Sequence, residues 1–195
     1  MAQKIIKKCI LQKDAMDCGP SCLHMIALAY GRNLSIENIR EDCFLGKDGV
    51  SLLGISRAAE KIGFRTTGGR ITFDTLVNKV PFPSILHWDQ NHFIVINKIR
   101  KHKTGKYTIY IADPAKGFVS YNGDEFLEHW ISTSTNGADK GLILLLDPGP
   151  SFYKQENVQN KNHNRVSFLW HYFTKYKKHF SQIILGILMG AIIQL

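Results

Sequence analysis

Little in this chain of 195 residues points to cross-linking: its four cysteines, Cys9, Cys18, Cys22 and Cys43, are too few for a secreted disulfide scaffold. They predict free thiols in a reducing compartment. No CxxC pair is present, and Cys18, Cys22 and His24 would fall on different faces of a shared helix, which argues against zinc. Gly46-Lys47-Asp48 and Gly105-Lys106-Tyr107 lack the upstream glycine and the Ser/Thr of a phosphate-binding loop, so no ATP site is expected. Lys4, Lys7 and Lys8 lead into no adequate apolar core. No secretory signal is read there, and the domain is expected to stay cytoplasmic. Internal repeats and low-complexity tracts are absent.

Positive charge is not scarce, but it is unevenly placed. The formal charge is +9. Through Pro150, nineteen Lys and Arg stand against fifteen Asp and Glu, whereas beyond it Lys154, Lys161, Arg165, Lys175, Lys177 and Lys178 face Glu156 alone. The body of the chain therefore lacks the basic balance of a nucleic-acid binder. Hydrophobic residues make up 44%, enough for one packed core, expected over 1–150. Residues 150–166, rich in Asn, Gln and Lys, read as a linker, and 171–179 are rich in Lys and His. Residues 180–195 are apolar but for Ser181, Gln182 and Gln194. That run falls short of the roughly 20 residues of a spanning helix, but its apolarity on all sides over 183–193 argues against an amphipathic surface helix. It is expected to begin a transmembrane helix with its cationic flank on the cytoplasmic side.

Helices come first and strands later. Helices are predicted over 17–30, stopped by Gly31, then a short one capped by Ser35 through Glu41, and one over 52–62, capped by Ser51 and ended by Gly63. Thr72 caps a further turn or two before Pro81. Strands are predicted over 84–88, 92–99, 107–112, 118–121 and 142–146, with a helix over 124–130. The fold class is α+β with an antiparallel sheet.

The most informative stretch is Gln12-Lys13-Asp14-Ala15-Met16-Asp17-Cys18-Gly19-Pro20. Asp17 suits an N-cap and Pro20 a first helical turn, which sets Cys18 at the positive end of a helix dipole, where thiolate is favoured over thiol. Asp14 and Asp17 are both expected to cap the helix, their carboxylates turned toward the first-turn amides and away from the sulfur. A hairpin folded about His102 and Lys103 would place His92 directly opposite Asp113, with Cβ atoms roughly 5 Å apart. A slip of two residues would put Ala115 there instead. Asp113 would accept one imidazole N–H and leave the other ring nitrogen for Cys18. The Gln12 amide and the Cys18 backbone N–H would supply two donors to an oxyanion, about 3 kcal/mol each. The candidate catalytic residues are thus Cys18, His92, Asp113 and Gln12. Plainer roles compete: Asp113 before Pro114 also suits a turn, and Gln12 a surface. Cys22, with Met25 and Ala29, suits the core; Cys9 and Cys43 have no assigned role. His87 beside Trp88 is a rival base without a facing aspartate.

Gln12 and Asp14 before Asp17-Cys18-Gly19, followed by Leu23, Met25, Tyr30 and Gly31, resemble the cysteine motif of the bacteriocin-processing peptidases. These are papain-like cysteine peptidase domains at the N-terminus of peptidase-containing ABC transporters. Leu86-His87-Trp88 with Asn91-His92-Phe93 resembles that family's histidine motif, and Asp113-Pro114-Ala115 with Gly117 its aspartate motif. The resemblance implies a papain-like fold and cleavage of a leader peptide after a paired-glycine motif. It further implies export of the released peptide by the same polypeptide, a homodimeric ABC exporter, at the cytoplasmic face of the bacterial plasma membrane. The leader, the membrane and the rest of the exporter are the implied partners, and no nucleic acid. No cofactor is implied for this chain; ATP and Mg belong to a nucleotide-binding domain outside it. The expected division is a peptidase domain over 1–150, a basic linker and elbow helix over 151–179, and the start of a first transmembrane helix over 180–195. Two other uses of the same residues stay open: a docking domain that holds substrate without cutting it, and transfer of the acyl group to an amine instead of water.

Overall fold

Short apolar strands with residues of opposite parity facing opposite sides need cover on both faces, and helices supply it here. The computed structural model describes residues 4–43, 50–135 and 137–154. A 3-10 turn at Ala15–Asp17 leads into α1 (Cys18–Ala29), α2 (Ile36–Asp42) and α3 (Leu52–Lys61). Then follow β1 (Phe64–Ile71), α4 (Phe73–Lys79), β2 (Ser84–Trp88), β3 (His92–Lys101), β4 (Tyr107–Asp113) and β5 (Gly117–Asn122). The last described elements are α5 (Gly123–Trp130), β6 (Ile131–Thr135), β7 (Ala138–Pro148) and α6 (Pro150–Lys154). The strands form one antiparallel sheet in the order β1-β7-β2-β3-β4-β5, with β6 pairing β7 off that path.

Ile85, Phe93, Val95, Ala112, Leu144 and Leu146 belong to one core with residues of α1, α2 and α3. Their sequence neighbours Leu86, Ile94, Ile96, Ile111 and Ile143 belong to a second core with Leu76 of α4 and Phe126 and Trp130 of α5. The α+β class and the antiparallel sheet are as expected from the sequence. The predicted caps at Ser51 and Thr72 hold, with side chains accepting from Gly54 N–H at 3.0 Å and Thr75 N–H at 3.3 Å, whereas Ser35 stands at the N-cap of α2 without a side-chain cap bond because its hydroxyl donates to Glu37 at 2.7 Å. Two strands escape the apolar pattern. β1 carries Gly68 and Gly69 and alternates exposed with half-buried residues at a sheet edge; β6 reads Ile-Ser-Thr-Ser-Thr. Both gain their strand geometry from pairing with β7.

Residues 150–154, expected to open a linker, are instead helical and tied to the body of the fold. Gly63 ends α3 with φ of 100°, and its carbonyl accepts from Gly149 N–H at 3.0 Å. A Cβ on Gly63 would lie 2.5 Å from Phe152 N, so only glycine lets α6 approach this closely. Phe152 is fully buried, 4.4 Å from the Phe64 ring centroid and under the Arg32 guanidinium at 4.9 Å. Phe152→Ala is therefore expected to cost about 3–5 kcal/mol, read as a drop in thermal midpoint; an unchanged midpoint would return these residues to a linker role. The rest of the expected linker and elbow, and residues 180–195, lie outside the described residues. Among the described residues no helix is long and apolar enough to cross a membrane.

Candidate active site

The 3-10 turn before α1 decides where Cys18 points. Asp14 caps that turn through its side chain, accepting from Met16 N–H at 3.3 Å, and its own N–H donates to Asp17 at 3.2 Å. Asp14 thus caps the 3-10 turn and not, as expected, the helix that carries Cys18. Asp17 does not: its backbone stands at the N-cap of α1, but its carboxylate makes no bond to the first-turn amides. It is buried and gripped by the guanidinium of Arg40 on α2, which donates to Oδ1 from Nε at 2.7 Å and to Oδ2 from Nη2. The physical reason is burial: a carboxylate at 2% exposure needs a countercharge more than it needs a cap. Arg40 lies 23 residues away, and no local pattern in the sequence announces it. Gly19 follows Cys18 because a Cβ there would stand 2.3 Å from Val50 Cγ1. The first turn of α1 consequently sits hard against the residues leading into α3.

His92 opens β3 and Asp113 closes β4, which sets both at the same end of the sheet. The hairpin does not fold about His102 and Lys103. Lys101 pairs with Tyr107, centring the loop on Thr104, and a shift at Asn97 then sets Val95 against Ala112. Extended past the end of β4, this register sets Ala115, not Asp113, across from His92. The carboxylate lies on the diagonal and still reaches the ring: His92 Nε2–H donates to Asp113 Oδ1 at 2.7 Å. Ala115 N–H donates to the same oxygen at 2.8 Å and fixes the carboxylate rotamer. Nδ1 of His92 is the ring nitrogen left for Cys18, and the sulfur acts on the ring electrostatically. Burial pushes His92 down, but the hydrogen bonds and charges of Asp113 and Cys18 outweigh it and lift its pKa to about 9. Burial likewise pushes Asp113 up, and the bonds from His92 and Ala115 N–H prevail and lower it.

The turn that delivers His92 is held from α5. Asp89 and Gln90 both adopt positive φ, 48° and 61°, in the β2–β3 connection. Asp89 accepts from His129 Nδ1–H at 2.7 Å, and its own N–H donates to the His129 carbonyl at 3.0 Å. His87, the rival base, packs on Phe93 with centroids 5.0 Å apart, and burial and the neighbouring His92 push its pKa down. Among the described residues it has no carboxylate partner.

Gln12 reaches the site by backbone pinning. Its N–H donates to the carbonyl of Pro114, next to Asp113, at 2.9 Å. Farther up the same segment, Asn97 at the β3 irregularity grips Ile6 at both ends, accepting from its N–H at 2.8 Å and donating to its carbonyl at 3.2 Å. An asparagine inside the apolar run of β3 is the signal that sequence reasoning passed over. The side-chain oxygen of Gln12 is buried without a hydrogen-bond partner. The remaining cysteines serve packing: burial holds Cys22 well above the usual thiol range and Cys43 at about 12. Cys22 Sγ donates to the Phe93 carbonyl at 3.3 Å and ties α1 to β3.

An imidazole bonded to a carboxylate thus stands at one end of the sheet, with Cys18 acting on the ring and the Gln12 backbone pinned at Pro114 beside Asp113, an arrangement suited to nucleophilic acyl chemistry. Comparison with known proteins points the same way. Residues 6–140 match the model of the peptidase C39 family. The chain is similar to a lactococcin-G-processing and transport ATP-binding protein of Lactococcus lactis, at 35% identity over 64% of this chain and 18% of that protein. A colicin V secretion/processing ATP-binding protein of Escherichia coli is 30% identical over 78% of this chain and 20% of its own length. The chain spans about a fifth of the length of these curated relatives. Among solved structures, a double glycine motif protease from an AMS/PCAT transporter, in complex with the leader peptide, superposes with a TM-score of 0.62. Identity there is 30%, over 76% of this chain and 99% of that one. The peptidase domain of Streptococcus ComA gives 0.59 at 28% identity, covering 72% of this chain and 98% of that one.

Proposed function

The chain belongs to the peptidase C39 family, and on that footing we propose that it is a cysteine endopeptidase that removes leader peptides after a Gly-Gly motif from bacteriocin-like or other small secreted peptides. The observation that carries this reading is the 2.7 Å bond from His92 Nε2 to Asp113, which leaves the second ring nitrogen for Cys18. Cys18 passes its thiol proton to His92 Nδ1, the thiolate attacks the carbonyl carbon of the second glycine, and the π electrons of that carbonyl move onto oxygen. The Cys18 backbone N–H and the Gln12 amide hold the oxyanion. Its collapse breaks the peptide C–N bond, and the leaving amine takes the proton from His92 Nδ1. Water, deprotonated by His92, then attacks the thioester carbonyl and releases the leader and the thiolate. Asp113 holds Nε2–H throughout and stabilises the imidazolium.

Glycine before the cut has a physical reason. A backbone without Cβ lies closer to a thiol that is itself only 6% exposed. The reading extends to the whole protein as the N-terminal domain of an ABC exporter at the cytoplasmic face of the bacterial plasma membrane. It is joined there by the basic and apolar C-terminal residues and acts as a homodimer. Peptide cleavage needs no cofactor; ATP and Mg serve the exporter elsewhere. The test incubates the chain with synthetic leader peptides carrying Gly-Gly, Gly-Ala or Ala-Ala and reads the products by mass spectrometry. Cleavage confined to the C-terminal side of Gly-Gly is the expected result. Binding with no cleavage would indicate a docking domain, and amine adducts would indicate acyl transfer.

A further inference from the structure

We infer that Arg40 is a positioning residue for Cys18, its forked grip on Asp17 fixing the turn that aims the thiol while cancelling a carboxylate charge beside the reacting pair. The inference rests on the leader-peptidase reading for its substrate, but not for its geometry. Asp17 directly precedes Cys18, is buried, and spends both oxygens on Arg40, with Oδ2 also taking Asp14 N–H. A fork bonded at two points fixes rotation as well as distance, which a single ammonium cannot do. Because Asp17 ends the 3-10 turn and begins α1, that orientation passes directly to the Cys18 backbone N–H and Cβ.

The charge matters separately. The Cys18–His92 pair is faced by Asp113 from β4, by Cys22 from α1 and by His87 from β2, while Cys9 of the N-terminal segment faces Asp113 and Cys22. Asp17 adds a second carboxylate on the cysteine's own turn. Arg40 answers it and is itself faced by Glu37 and Asp14. Without Arg40, an uncompensated carboxylate beside the pair disfavours the thiolate and favours the imidazolium, so both limbs of the pH–rate bell move to higher pH. Without the Asp17 charge, Arg40 is left over and both limbs move down.

The experiment measures kcat/KM against pH on a Gly-Gly peptide, alongside the rate of Cys18 alkylation by iodoacetamide against pH. Arg40→Ala is expected to lower kcat roughly tenfold to a hundredfold and to move the bell up by roughly half a pH unit or more. Asp17→Asn should move it down. Arg40→Lys keeps the charge and loses the fork, so kcat falls with the bell in place. The double variant Asp17→Asn/Arg40→Met carries neither charge; it is the variant to use if Arg40→Ala does not fold, and its bell returns to the wild-type position with kcat still low. A bell that stays in place for both single charge changes, or a kcat untouched in Arg40→Lys and the double variant, overturns the inference. A wild-type chain that cuts no Gly-Gly peptide overturns the leader-peptidase reading instead, and the alkylation profile still decides the role of Arg40.

Discussion

Cys18→Ala is expected to abolish cleavage of a Gly-Gly peptide, a loss of about 10⁶-fold in kcat of the kind seen when a nucleophile is removed from an acyl-transfer enzyme. The fold survives, since one small buried sulfur is lost and the turn before it is held by Asp14, Asp17 and Arg40. Circular dichroism and the thermal midpoint check that directly. The substitution also has a consequence at a distance. Part of what lifts His92 to about 9 is its hydrogen bond and charge interaction with Cys18. Removing the sulfur leaves burial, which pushes downward, opposed by Asp113 alone. The imidazole of Cys18→Ala, followed by NMR, therefore titrates below its wild-type position. Cleavage at the normal rate would remove Cys18 from the mechanism, and an unmoved His92 titration would show that thiol and ring do not interact. Cys18→Ser keeps the shape but presents a hydroxyl far less acidic than a thiol, so it too is expected to be inactive.

The site was more legible than the strand pairing that builds it. Cys18, His92, Asp113 and Gln12 carry chemistry in their side chains, and their order along the chain already suggested a nucleophile, a base, an orienting acid and an oxyanion donor. What brings them together is less visible. Two small effects, a loop centred on Thr104 and an irregularity at Asn97, shift the β3–β4 register by two at Val95. Neither alters the apolar periodicity from which strands are read, because a shift of two keeps every side chain on its face. The Asp17–Arg40 pair was hidden for another reason: nothing in a helix pattern tells that an acid at its start will be buried. β1 and β6 lacked an apolar face of their own and depend on β7 for pairing. Phe152 sat among residues whose polarity reads as linker, and a single aromatic carries too little weight in a window to reverse that reading.

Asp113→Ala is expected to cost about 10²–10⁴-fold in kcat/KM, since it removes both the charge that sustains the imidazolium and the acceptor that fixes the ring. Asp113→Asn separates the two contributions, and the structure changes what should be expected of it. An amide in place of an orienting carboxylate can hold the imidazole in the wrong tautomer, but here Ala115 N–H already donates to the oxygen that receives His92 Nε2–H. An asparagine in this place turns its carbonyl toward both donors, so Nε2–H keeps an acceptor and Nδ1 still faces Cys18. What is lost is the negative charge. In the wild type His92 stays protonated up to about 9, and cleavage falls as pH rises through that value. With Asp113→Asn burial prevails further, the imidazolium is lost at lower pH, and the basic limb of the bell moves down. A milder fall in rate than Asp113→Ala, with that downward displacement, is the signature of a charge without a tautomer defect. An Asp113→Asn variant as slow as Asp113→Ala would show that Ala115 does not hold the amide in register, and an undiminished rate in both variants would reduce Asp113 to a turn former before Pro114.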